Sequence, residues 1–206
     1  MALAQWNRRR LAAQAPGSHW QDDLREEARM RWLEGVWVES LREEVAPLAD
    51  AAPTDEEAFV EWFTALKTNG PGQGDPLFAW LGRHADLQEM KWFLTQEAAG
   101  EAGFEDLVAM AQVKVPEAEA KLELARNYWD EMGRGNAGGM HGPMLERVVR
   151  ELGLDPTIEA TVWPSLALAN TLTAFSTTRR YAWHAIGALG AVELTAPTRV
   201  GLVAAG

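Results

Sequence analysis

The sequence predicts an all-α, single-domain protein. Apolar residues recur at three- and four-residue spacing from residue 21 onward. The segments are separated by proline and glycine clusters. No stretch shows the alternation with period two that a half-buried strand requires. No internal repeat of the ~20–50-residue length of a solenoid unit is present. With 206 residues and 47% hydrophobic content, the chain is long enough to bury a sizeable core and too apolar to be disordered over most of its length.

Residues 1–20 are small and basic, with Arg8-Arg9-Arg10 followed by Pro16-Gly17, and read as a flexible tail. The helical domain therefore spans 21–206. Its first helix runs from Gln21 to about Leu48, with Leu24, Ala28, Trp32, Val36 and Leu41 near one stripe and Glu and Arg opposite. Pro47 and Pro53 end it. Thr54 is placed to cap the next helix, with Glu57 at the capping-box position, and Phe59, Trp62, Phe63 and Leu66 follow on its face to Asn69. The stretch Asn69-Gly-Pro-Gly-Gln-Gly-Asp75 is a loop. Helices are expected at 76–83, 85–99 and 104–112. Pro116 then opens a helix reaching about Met132, stopped by the glycine-rich 133–139. Another covers 140–152, closed by Gly153. From Val162 the chain is apolar and helical, interrupted at Gly187, Gly190 and Pro197.

Composition excludes several classes. Formal net charge is −11, which argues against nucleic-acid binding. There is no cysteine, hence no disulfide, thiolate zinc site or thiolate-held iron–sulfur cluster, in keeping with a reducing cytoplasm. No signal-peptide core precedes the arginines, and no apolar run is expected to reach the ~18 residues needed to span a bilayer. Ten tryptophans, spread from Trp6 to Trp183, read as core and inter-helix packing.

Three residues stand out against this background. Glu131 shares a helix face with Ala120, Leu124 and Tyr128. Glu97 continues the stripe of Met90, Phe93 and Leu94. His141 starts the stripe of Met144, Leu145, Val148 and Leu152. A carboxylate or imidazole on an apolar face is costly unless something pairs with it. Three on separate helices can converge as metal ligands inside a bundle. The glycine-rich loop between Glu131 and His141 lets two consecutive helices aim at one point. The plainer alternative is a surface Glu near a helix end and a packed or capping His. Spacing alone leaves both open, and Glu101, Glu105, Glu117, Glu119 and Glu123 read as solvated charge.

The stretches Trp92-Phe-Leu-Thr-Gln-Glu97, Gly103-Phe-Glu-Asp-Leu-Val-Ala109 and Ala118 to Leu154, with Asn127-Tyr-Trp-Asp-Glu131 ten residues ahead of Met140-His141, resemble the iron-containing redox enzymes of the heme-oxygenase-like diiron oxidase superfamily. So does Asn170 to Pro197, through Arg179-Arg180-Tyr181 and Glu193-Leu-Thr-Ala-Pro197. The resemblance covers about residues 80–200. It implies a heme-oxygenase-like bundle holding one or two Fe(II) ions. It implies Glu97, Glu131, His141 and Glu193 as metal ligands and His184 as a packed or supporting histidine behind them. The implied function is a non-heme iron oxidoreductase that activates O2 to oxidise a small organic substrate.

The resemblance also implies a last core helix, beyond the equivalent of residue 206, carrying the remaining ligands. On that reading the sequence holds about half of a two-iron set, activity is impaired, and uncovered apolar surface favours a homodimer. The competing readings are a non-catalytic helical interaction domain and a heme-oxygenase-like protein without a diiron centre.

Overall fold

The computed structural model describes residues 1–101 and 103–205, the side chains of 100 and 101 excepted. Glu101, read above as solvated charge, therefore lies outside the described side chains. All regular structure among the described residues is helical. The helices are α1 Ala2–Leu11, α2 Trp20–Ala49, α3 Glu56–Thr64, α4 Leu66–Asn69, α5 Pro76–Leu81, α6 Leu87–Glu101, α7 Phe104–Ala111, α8 Ala118–Glu131, α9 His141–Leu152, α10 Trp163–Thr177 and α11 Ala182–Val203.

Two helices organise the packing. The apolar α10 touches α1, α2, α6, α7 and α11. The short α7 lies against α8, α9, α10 and α11. Phe104, Leu107, Val108 and Ala111 fall on one face of α7 at helical spacing and are buried with Leu172 of α10 and Ala185 and Leu189 of α11.

Several sequence expectations change. The N-terminal segment is not a tail along its whole length, because residues 2–11 form α1 and dock. Trp6 and Arg10 are four apart and share a face. The Arg10 guanidinium sits 3.8 Å over the Trp6 ring and reaches Glu34 at 2.5 Å, with that carboxylate buried. Burial draws the Arg10 pKa below its usual range, and the Glu34 charge opposes that shift. Asn7 Nδ2 donates to Asn170 Oδ1 at 2.9 Å. Asp55, not Thr54, caps α3, accepting from the Ala58 N–H at 3.0 Å. Pro47 lies inside the last turn of α2 and does not end it.

The last helix also runs further than expected. α11 continues unbroken through Gly187, Gly190 and Pro197. Tertiary contact overrides propensity here: a Cβ on Gly190 would lie 3.2 Å from the Phe63 ring, so the glycine admits α3. The stretch Arg179–Val203 is 25 residues, long and apolar enough to cross a membrane by length and composition. Glu193 and Arg199 interrupt its apolar sequence, which hid this.

The molecule is open. Its surface of 13294 Å² exceeds the roughly 9,500 Å² expected of a compact monomer of its mass. The tryptophans show where. Trp6 is buried, but Trp20, Trp32, Trp62, Trp80, Trp92, Trp129, Trp163 and Trp183 are exposed, so most do not pack between helices as expected.

Candidate metal centre

Six helices meet around a cavity of about 410 Å³. α6 supplies Gln96 and Glu97, α7 Phe104, α8 Glu131 and α9 His141. The opposite wall is Ser165, Leu168 and Leu172 of α10 with Val192, Glu193, Ala196, Pro197 and Val200 of α11. The cavity thus brings together Glu97, Glu131, His141 and Glu193. One wall is carboxylate and imidazole, the other largely aliphatic.

The loop between α8 and α9 makes the closest of these approaches. Glu131 is the last residue of α8 and His141 the first of α9. Two 3-10 turns, Gly133–Gly135 and Ala137–Gly139, fold the intervening chain back on itself. Gly133 has φ +60°, and a Cβ there would lie 2.5 Å from the Gly139 carbonyl carbon, so only glycine lets the loop close. Asn136 accepts from the Gly138 N–H at 3.0 Å, and Arg147 of α9 donates to the Gly138 carbonyl at 2.9 Å. As a result His141 Nδ1 lies 3.0 Å from Glu131 Oε2. The Phe104 ring stands 5.8 Å from the imidazole, centroid to centroid.

Glu131 is the most enclosed of the four. Its side chain is 14% exposed against 33% for His141. Oε2 is shut off from solvent and makes no regular hydrogen bond among the described residues. A buried carboxylate oxygen left in that state favours a cation beside it. Glu97 and Glu193 are more exposed, at the solvent side of the cavity.

A neighbouring amide holds the Glu193 carboxylate, and another anchors the helix that carries Glu97. Gln96, buried beside Glu97, accepts from the Val162 N–H at 2.7 Å and donates to the Ala160 carbonyl at 3.4 Å, tying α6 to the start of α10. Asn127 Nδ2 of α8 donates to Glu193 Oε1 at 3.0 Å. Neither residue was singled out in the sequence. An amide next to, or on a neighbouring helix from, a charged residue carries no periodic signal.

His184 does not join the group. It packs against Phe175 and Tyr181 at centroid separations of 5.6 and 5.7 Å, and its Nε2 accepts from Arg42 Nε at 3.1 Å. Burial, then the Arg42 charge, lowers its pKa, while Glu39 opposes the shift. Glu39 itself accepts from the Tyr181 hydroxyl at 2.7 Å, which helps hold that carboxyl below its usual range.

Carboxylates and an imidazole are the donor types that suit iron(II). With the enclosed Glu131 Oε2 set 3.0 Å from the His141 imidazole, the donor types present suit such an ion. Among the described residues, no three His, Asp or Glu groups converge tightly enough to enclose one in this arrangement.

Fold and cavity together define a helical protein with a carboxylate–imidazole pocket inside a heme-oxygenase-like bundle. The family described as iron-containing redox enzyme matches residues 91–206, more than half of the chain, and the protein belongs to that family. No curated protein matches the sequence, and no solved structure matches the fold.

Proposed function

We propose that this chain is a non-heme iron oxidoreductase that uses O2 to oxidise a small, largely apolar molecule. One observation carries the reading: Glu97, Glu131, His141 and Glu193 line a single cavity, with the buried Glu131 Oε2 set 3.0 Å from the His141 imidazole. These four residues would hold iron(II). Bound iron supplies the electrons for O2 and the oxidising power.

The rest belongs to the chain. Without metal, His141 compensates the buried Glu131 charge. To hold an ion, Glu131 and His141 would have to exchange their mutual contact for the metal, with the imidazole neutral. Leu168, Leu172, Val192, Ala196 and Val200 give an organic substrate an apolar wall and displace water from it. Ser165 and Gln96 are the neutral polar groups on the lining. Among the described residues the lining holds no Lys or Arg.

The test is metal analysis of protein purified with iron(II), followed by titration. Binding near one ion per chain is expected. Less than roughly 0.3 iron per chain with no uptake on titration overturns the reading, since a real ligand set binds measurably. Glu131→Ala and His141→Ala should each abolish uptake.

A second reading is favoured by the unconverged ligands and the open surface: a helical interaction domain that pairs with its own copy and binds no iron. It predicts a dimer by light scattering and a wild-type melting temperature that iron(II) leaves unchanged.

A further inference from the structure

α9 begins without the usual helix-start devices. Met140 provides no side-chain cap, and no acidic residue occupies the first turn. The positive end of the helix dipole and the first N–H groups of α9 are therefore not answered from within α9. Glu105, from the first turn of α7, places its carboxylate beside that helix start. Its carboxylate lies so close to Gly142 that a Cβ added there would stand 2.4 Å from Oε1. Glu105 Oε2 is shut off from solvent and accepts no hydrogen bond among the described residues. The preceding residue, Phe104, sets its ring against His141.

Two consecutive residues of α7 thus grip the first two residues of α9, ring against imidazole and carboxylate against glycine. Behind this grip is a second cavity of about 640 Å³, lined by Glu105, Gly142, Pro143 and Val149 among others, so Glu105 reaches α9 from the side away from the iron candidates.

We propose that Glu105 is a positioning residue for His141. Through the dipole of α9 and the close seat on Gly142, it sets the first turn of α9 and with it the distance from imidazole to Glu131. Gly142 is part of the device, because any larger residue drives the carboxylate off its seat. The enclosure of Glu105 Oε2 has no other evident reward: a buried carboxylate oxygen without a hydrogen bond is costly by itself. The second arm of the test rests on the iron reading above; the first does not.

The first arm uses metal-free protein and the nuclear Overhauser contact between the Phe104 ring and the His141 imidazole. Glu105→Gln and Gly142→Ala are expected to weaken or lose that contact, and Glu105→Asp to keep part of it. A contact of wild-type strength in both Glu105→Gln and Gly142→Ala, even with a lowered melting temperature, overturns the proposal and leaves Glu105 a purely structural residue. The second arm is Co(II) titration by calorimetry. Glu105→Gln should bind on the order of tenfold more weakly than wild type, as for other residues that orient a metal-binding histidine, with Glu105→Asp between them. Equal affinity in Glu105→Gln and wild type overturns it. If wild type itself binds no Co(II), the iron reading fails while the first arm still decides the role of Glu105.

Discussion

Asn127 of α8 donates a hydrogen bond to Glu193 of α11 at 3.0 Å, joining two helices that meet at the candidate metal cavity. An exposed carboxylate held by a neutral amide loses little stability when the amide goes. What it loses is a fixed direction. Asn127→Ala should leave the melting temperature nearly unchanged, since exposed contacts contribute about 1 kcal/mol or less. Metal affinity should fall several-fold, read by Co(II) calorimetry. Unchanged affinity would remove Glu193 from the ligand set.

Glu131 and His141 should separate stability from metal binding. Replacing His141 by Ala leaves the enclosed Glu131 carboxylate without its compensating neighbour, at a cost of about 1–3 kcal/mol to the metal-free fold. Replacing Glu131 by Gln removes the charge that is expensive to bury, so the metal-free protein should be as stable as wild type or more so. Both lose iron. Urea denaturation of the two variants, run beside metal analysis, checks the contrast.

The docking of α1 depends on a buried ion pair. Arg10→Ala strips Glu34 of its nearest cation and exposes the Trp6 face. Breaking a buried pair from one side typically costs about 3–5 kcal/mol. Arg31, 3.3 Å from Glu34, should hold the loss near or below the lower end of that range. The checks are chemical denaturation and faster proteolysis ahead of residue 20.

His184 should make stability depend on pH. Its pKa in the folded protein lies below the unfolded value, first through burial and then through Arg42. The unfolded chain therefore binds the extra proton first as pH falls. Stability from this group is complete above about pH 6.5, the ordinary imidazole value, and declines below it toward the folded pKa. Glu39, Arg42, Arg180 and Tyr181 surround the ring or its partners; the Glu39 carboxyl is held below and the Tyr181 hydroxyl above its ordinary value, so neither of these two titrates in that window. His184→Gln should flatten the stability profile between pH 7 and 5.5 in denaturant titrations, relative to wild type.

The stripes on α6, α8 and α9 were readable because an apolar face repeats every three or four residues and a polar member breaks it. That pattern singled out Glu97, Glu131 and His141. Glu193 came only from resemblance, since at the centre of a glycine- and proline-containing segment no stripe marks it. α1 was missed because three consecutive arginines and a following Pro-Gly look like tail; what docks it is Glu34, 24 residues away. Glu105 was read as solvated charge for the same reason. Its partner is the bare α-carbon of Gly142, and nothing in the local sequence of α7 announces a contact with a residue that has no side chain. The tryptophans erred the other way: their chemistry suggests burial, but the helix layers are too few to cover them.

The close passages of glycine along α11 act as a gauge. Near its middle Gly190 admits the Phe63 ring. Toward its end a Cβ on Gly82 would come within 2.1 Å of the Leu202 carbonyl oxygen, so backbone rests on backbone there. Glu193 lies between these two stops. The Gly82 stop is backbone against backbone and cannot yield, the Gly190 stop meets a ring that yields by a few tenths of an ångström, and α11 joins the two. A single methyl at position 82, well away from the cavity, is therefore a change in reach for Glu193 rather than a local blemish. Directed variation that aims to retune the pocket has a handle at both stops without altering any residue that lines it.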